Sequence, residues 1–319
     1  MLKKIWIVMV WLQALLGLIV LLVAGDFLVR GAVNFSLKIK IPAFIVSLTV
    51  VALGTSAPEL LVAIRATLDD VPGIALGNVV GSNIANVFLV LGIPALIAGI
   101  NTSDCNTGKN YLFMIAATIV FLSLAFLGNF SPSDGIVLLL FLVVFLFVTA
   151  RDTLKMQQET PFPAVENADP KLAFWKIILF LSFGLLGLPV GADILIENAS
   201  FIAQSYGLSD EIIGLTLIAL GTSLPELATT LMAAVRRQAE VALGNVIGSN
   251  IFNILAIVGI TTMFGNLPIA ASFYHFDFWI MFGAVIVLFP FVYMRVNITR
   301  LWGAILTLTY ASYLYLTIQ

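Results

Sequence analysis

One cysteine, one histidine and few charges bound what this chain can be. With Cys105 alone, no intrachain disulfide can form, and the redox compartment stays undetermined. A lone imidazole, His275, cannot build a histidine metal cage; its place at a predicted helix start suits an interface. Neither a Ser/His pair nor a His/Glu metal constellation falls within an apolar segment, so an intramembrane enzyme has no support. Charged residues are 10% of the chain and the net charge is −2, which excludes a nucleic-acid partner. Nothing calls for an obligate protein partner. What is plentiful is apolar sequence, 61% of residues, with a mean hydropathy of +1.10. Runs of about 20 apolar residues, the length that crosses a bilayer as a helix, recur from end to end. The fold class is an all-α polytopic membrane protein.

The chain carries one stretch twice. Residues 54–60 read Gly-Thr-Ser-Ala-Pro-Glu-Leu and residues 221–227 read Gly-Thr-Ser-Leu-Pro-Glu-Leu. A second block follows each copy: Ala-Leu-Gly-Asn-Val-Val-Gly-Ser-Asn-Ile-Ala-Asn at 75–86 and Ala-Leu-Gly-Asn-Val-Ile-Gly-Ser-Asn-Ile-Phe-Asn at 242–253. Both blocks are offset by 167 residues, with six of seven and ten of twelve positions matching. This is an internal duplication. The start of the chain imitates a signal peptide, with Lys3 and Lys4 before an apolar run. Its alignment at the same offset with the segment around Val190–Glu197 rejects that reading, because Asp26 falls on Asp193 inside the repeat.

Ten membrane segments are expected, at 5–29, 42–66, 72–98, 110–127, 132–150, 173–196, 211–235, 240–265, 273–294 and 298–317. The polar stretch 151–172 holds Pro161, Pro163 and Pro170 and reads as a linker. The division is then 1–150, a first five-helix repeat with its core at 42–98; the linker; and 173–319, a second repeat with its core at 211–265. Five helices per half is an odd number, so the second half enters the membrane from the opposite side. Inverted-topology repeats give alternating access to a midplane site, which favours a transporter. Of the 15 basic residues, three (Lys3, Lys4 and Arg65) fall on one side and twelve on the other. The richer side is expected to be cytoplasmic. Both termini then lie outside a cell (inner) membrane, and the 151–172 linker is cytoplasmic.

Each copy places a Glu in an apolar segment, where an ionisable group is costly and usually functional. Pro58 and Pro225 remove backbone donors and free the Gly54 and Gly221 carbonyls; the opened turns also expose those of Ala52 and Ala219. Thr55 and Glu59, like Thr222 and Glu226, are four apart on a helix face. Ser82 with Asn86, and Ser249 with Asn253, add neutral oxygens. Gly77, Gly81, Gly244 and Gly248 should let these helices pack closely. Asp26 and Asp193 suit interfacial capping or pairing, whereas Asp69, Asp70, Asp210 and Glu240 read as loop acids. Carboxylates, hydroxyls and carbonyls are the ligand set of Ca²⁺ and Na⁺, not of soft metals. Two carboxylates balance one Ca²⁺ or two Na⁺, and protons are competitors for the same oxygens. These ions are transported substrates; no cofactor is expected.

The paired Gly-Thr-Ser-x-Pro-Glu and Gly-Asn-x-x-Gly-Ser-Asn-Ile-x-Asn blocks resemble the two alpha-repeats of the cation/calcium exchanger superfamily, most of all prokaryotic sodium/calcium exchangers. The resemblance implies ten membrane helices, with helices 2, 3, 7 and 8 around the ions and long helices 1 and 6 sliding across them. It implies direct Ca²⁺ binding by Glu59 and Glu226, with Thr55 and Thr222 beside them. It assigns Ser56, Ser82, Ser223 and Ser249 mainly to flanking Na⁺ sites, joined by Asn86, Asn253 and the carbonyls of Ala52 and Ala219. The implied activity is Ca²⁺ for Na⁺ antiport, normally extruding Ca²⁺, with H⁺-coupled and K⁺-dependent exchange as alternatives. One position departs from the pattern: several such exchangers carry Asp where this chain has Asn253. One carboxylate fewer puts the counter-ion and its stoichiometry in question.

Overall fold

Lipid offers no hydrogen bonds, so an apolar chain that enters it has to satisfy its backbone within helices. The computed structural model describes residues 2–159, 169, 171–205 and 219–318, and these are almost wholly helical. The helices are α1 (Leu2–Ile39), α2 (Ala43–Leu68), α3 (Pro72–Ala98), α4 (Gly108–Ala125) and α5 (Pro132–Glu159). After the linker come α6 (Phe174–Ser205), α7 (Leu224–Val235), α8 (Ala239–Thr261), α9 (Phe273–Val292) and α10 (Arg300–Ile318). Among the described residues, eight helices are long and apolar enough to cross a membrane; α7 is a shorter apolar helix. Of the expected segment 211–235, residues 211–218 lie outside the described residues, and Asp210 with them. A single helical turn, Ala219–Gly221, precedes α7.

Three helices outrun their expected ends. With 38 residues, α1 is about 57 Å long at 1.5 Å per residue, and the 32 residues of α6 reach about 48 Å. Both exceed the roughly 30 Å of a hydrocarbon core, so they tilt or project beyond it. The third, α5, runs on to Glu159, past the apolar run whose end set the expectation. Hydropathy finds where lipid stops, not where a helix stops.

Helix α8 is buried around almost its whole circumference and forms the centre of the molecule. It lies against the first half of α2 through Gly244, where an added Cβ would stand 2.7 Å from the Phe44 carbonyl oxygen, and through Gly248, which touches Leu48 and Ala52. The expected close packing is therefore present on α8. At Gly81 of α3 nothing among the described residues comes within 4 Å, and only the Phe273 ring reaches Gly77.

α1 and α6 lie along each other and run antiparallel. Gly17 meets Leu195, Gly191 meets Leu21, Gly184 meets Leu28 and Gly31 meets Leu181, so position rises on one as it falls on the other. Small residues at each crossing bring the two backbones together, the usual route to helix association in lipid. The pair flanks both sequence blocks, since Leu185 of α6 abuts Gly54 and Ile196 abuts Gly221.

The two copies repeat each other in backbone detail. Helix α2 leaves helical geometry at Ser56 (φ −84, ψ 4), and α7 starts from Ser223 (φ −88, ψ 0). Their far ends close with a left-handed residue, Asp70 (φ 59) and Arg237 (φ 58), at the position that often ends a helix. A wide π-type turn begins at Asn86 in α3 and at Asn253 in α8. Two short backbone bridges are roughly exchanged by the same offset, Ile100 with Ile298 and Leu267 with Phe130.

The acids outside the blocks divide. Asp26 on α1 pairs with Arg30 at 3.1 Å and with Arg236 at the end of α7, as its expected pairing required. Asp193 is exposed and enters no ion pair among the described residues. Asp69 and Asp70 form the turn after α2, whereas Glu240 is half-buried in the first turn of α8 and is no loop residue. An acid there complements the helix dipole.

Candidate cation-binding site

A proline in the first turn of a helix costs nothing, because that backbone N–H has no intrahelical acceptor. Pro58 and Pro225 occupy this place in the half-helices Ala57–Leu68 and Leu224–Val235. The break itself falls two residues earlier in each copy, at Ser56 and Ser223. Each half-helix then carries its Glu in the first turn, where the positive end of the helix dipole favours a carboxylate. Both acids are nevertheless buried, Glu59 at 1% and Glu226 at 0% exposure.

Around them the polar residues of both copies interlock. Ser56 Oγ donates to Glu226 Oε1 at 3.1 Å, and Ser249 Oγ reaches the same oxygen at 3.5 Å. The Ser223 and Ser82 hydroxyls stand 3.5 Å apart. Asn86 Nδ2 donates to Asn250 Oδ1 at 3.0 Å. Thr55 Oγ1 lies 3.3 Å from the Ala52 carbonyl and 3.4 Å from Asn245 Oδ1, and Thr222 Oγ1 donates to Asn78 Oδ1 at 3.1 Å. The helix face expected of Thr55 and Glu59 spans the Ser56 turn. Ser56 interrupts the helical phase between them, and Thr55 turns toward the other copy.

The Ala52 carbonyl is not bare, because it accepts the Ser56 N–H at 3.0 Å and keeps one lone pair for another donor. Ala219 opens the short turn that precedes α7. Several buried oxygens have no partner among the described residues: Oε2 of Glu59 and of Glu226, and Oδ1 of Asn83, Asn86 and Asn253. Leaving a buried carboxylate oxygen unpaired is expensive. Hard neutral and anionic oxygens gathered in this way are suited to a hard cation.

Sequence reasoning weighs Asn78, Asn83, Asn245 and Asn250, taken singly, as packing residues and leaves them out of the site. Asn78 and Asn245 bridge the copies, and Asn250, held by Asn86, approaches Met114 Sδ at 3.7 Å. The signal was available, since all three asparagines recur at the 167 offset.

Comparison with known proteins gives the family of the whole chain. Residues 9–151 and 176–319 match the sodium/calcium exchanger protein family. The chain belongs to that family. It is therefore a multi-pass membrane antiporter of the cation/calcium class, and the family is one of transporters rather than enzymes. A putative antiporter of Alkalimonas amylolytica, CaxA, is 35% identical over 310 residues, covering 95% of this chain and 96% of that one. The sodium/calcium exchanger MaX1 of Methanosarcina acetivorans is 31% identical over 339 residues, covering 95% and 97%. Among solved structures, the sodium-calcium exchanger NCX_Mj superposes with a TM-score of 0.81 at 32% identity, over 96% of this chain and 97% of that chain.

Proposed function

We propose that this exchanger moves Ca²⁺ against Na⁺ by alternating access, with Ca²⁺ extrusion as its normal direction. The observation that carries the reading is the pair Glu59 and Glu226. They are both buried, come from duplicate copies and each hold one oxygen without a partner among the described residues. In this reading the two carboxylates bind Ca²⁺ directly, with Thr55 and Thr222 beside them. Ser56, Ser82, Ser223, Ser249, Asn86, Asn253 and the Ala52 and Ala219 carbonyls complete it and the flanking Na⁺ sites.

Ten crossings in two inverted five-helix repeats, 1–150 and 173–319 around a cytoplasmic linker at 151–172, complete the proposal. Both termini face outward from the cell (inner) membrane. The antiparallel course of α1 and α6, which are equivalent helices of the two copies, supports inversion. Radiolabelled Ca²⁺ uptake into Na⁺-loaded proteoliposomes is the test. An outward Na⁺ gradient should drive uptake, and none under that gradient defeats Na⁺ coupling.

A second reading, H⁺/Ca²⁺ exchange, draws on Asn253. It is wholly buried and contributes no charge, so the site holds two carboxylates. Two neighbouring carboxylates without a cation favour a shared proton. Uptake driven by a pH gradient with no Na⁺ present would select this reading.

A further inference from the structure

Asn78 and Asn245 are the same residue in the two copies, and they make the same contacts in opposite directions. Asn78, on α3, donates from Nδ2 to the Glu59 carbonyl of its own copy at 3.3 Å, and its Oδ1 accepts the Thr222 hydroxyl of the other copy at 3.1 Å. Asn245, on α8, donates to the Glu226 carbonyl at 3.2 Å and accepts Thr55 at 3.4 Å. A further donation runs from Asn245 to Thr230 Oγ1 at 3.0 Å. Each amide thus holds the backbone of one carboxylate residue and the hydroxyl of the opposite half-site.

We propose that Asn78 and Asn245 are positioning residues that aim the Thr55 and Thr222 oxygens at the transported cation and tie the two half-sites into one. This rests on the exchange reading above. A hydroxyl has one proton and two lone pairs. A cation needs the lone pairs, and a hydroxyl proton aimed at a carboxylate competes with the cation for that oxygen. Committing the Thr222 proton to the Asn78 amide oxygen removes the competition and turns the lone pairs toward the site; the Thr55 proton has the Ala52 carbonyl at 3.3 Å beside the Asn245 oxygen at 3.4 Å, and either acceptor keeps it off the carboxylates. The amide can serve only one way round, because its NH₂ end is fixed by a backbone carbonyl acceptor. A side chain of this length that both donates and accepts is needed: Asp would lose the donor, and Leu would lose both functions.

The test is a double-mutant cycle on the reconstituted protein. Asn78→Leu keeps the volume and removes the brace. The half-saturating Ca²⁺ concentration for uptake should rise about 10- to 100-fold, the range for groups that orient metal ligands, with the maximal rate much less affected. Thr222→Val removes the other end of the same bond. The double variant should match Thr222→Val alone within about twofold. Multiplying effects, or an Asn78→Leu half-saturation within about twofold of the unmodified protein, would overturn the proposal. Asn245→Leu with Thr55→Val repeats the cycle on the other copy should Asn78→Leu fail to elute as a folded monodisperse species. The unmodified protein separates the two claims: if it shows no Na⁺-driven uptake, the exchange reading fails. Calorimetric Ca²⁺ binding by the same variants then reads the positioning role by itself.

Discussion

Glu59 and Glu226 occupy the most demanding positions in the molecule, because a buried carboxylate needs a counter-charge or a proton. The dipole of its half-helix offsets the burial of each, and Glu226 also accepts the Ser56 hydroxyl of the other copy. Replacing either Glu by Gln keeps the shape and deletes the charge. Glu59→Gln and Glu226→Gln should each lower Ca²⁺ transport at least about 100-fold, beyond the loss expected from a group that only orients a ligand. The protein should still elute as a folded species; uptake within a few-fold of the parent in either variant rules out direct ligation.

Asn253→Asp adds a third carboxylate at the position where this chain departs from several relatives of its class. Apparent cation affinity should rise or the Na⁺ dependence should steepen, read from the Na⁺ titration of Ca²⁺ uptake. An unaltered titration makes the position peripheral. Outside the membrane segments, burial and the nearby Glu240 and Asp104 push the Cys105 thiol up to about 12. Its unfolded value is near 9, so at pH 8 the folded protein holds about a thousandfold less thiolate. Maleimide should modify it far faster after denaturation in detergent. By linkage, the neutral buried thiol favours the folded state fully below pH 9, and that contribution fades as pH climbs toward 12.

At the scale of elements, the close approach of α2 and α8 holds the Glu226 half-site against the opposite copy. A methyl group on Gly248 would press on the Leu48 carbonyl and stand 2.7 Å from Ala52 Cβ, in a contact made of backbone and a short side chain that cannot swing aside. Gly248→Ala should cost about 1–3 kcal/mol, as overpacking does, and lower the thermal midpoint. Gly283→Ala on α9 meets nothing within 4 Å among the described residues and should leave the midpoint unchanged or raised. Equal midpoints for the two variants would mean that the α2–α8 contact is loose.

The helices show which features sequence could and could not supply. Duplication exposed the Glu, Thr and Ser positions because a polar group inside an apolar run is costly, and one kept in both copies offsets that cost by what it binds. The helix break was legible from Pro58 and Pro225, but its location at Ser56 and Ser223 was not, since proline marks the first turn after a break. The Ser56 turn lies between Thr55 and Glu59, and the Thr55 hydroxyl reaches Asn245 of the opposite copy. Asn78 and Asn245 were hard to weigh because a lone asparagine in a membrane helix is commonly packing glue. Only the cross-copy contacts distinguish a brace from glue.

For the whole molecule, the question is how two copies of one sequence form a single site. Parallel copies would present their half-helices in the same sense, whereas inverted copies bring the two Glu-bearing ends together from opposite faces. The antiparallel pairing of α1 with α6 and the reciprocal bonds Thr55–Asn245 and Thr222–Asn78 both support the proposed inversion. The proposed inversion has a consequence that needs no transport assay: the loop after α4 and the linker before α6 should lie on opposite sides of the membrane. From the basic residues, three against twelve, the linker is expected in the cytoplasm. In a Cys105→Ser background, Asn129→Cys and Lys171→Cys place single thiols at exposed positions in those two segments. A membrane-impermeant maleimide added to intact cells should label the first and spare the second until the cells are opened. Labelling of the second alone would reverse the orientation and keep the inversion. Labelling of both from outside would place the two segments on one side, and the inverted arrangement would fail.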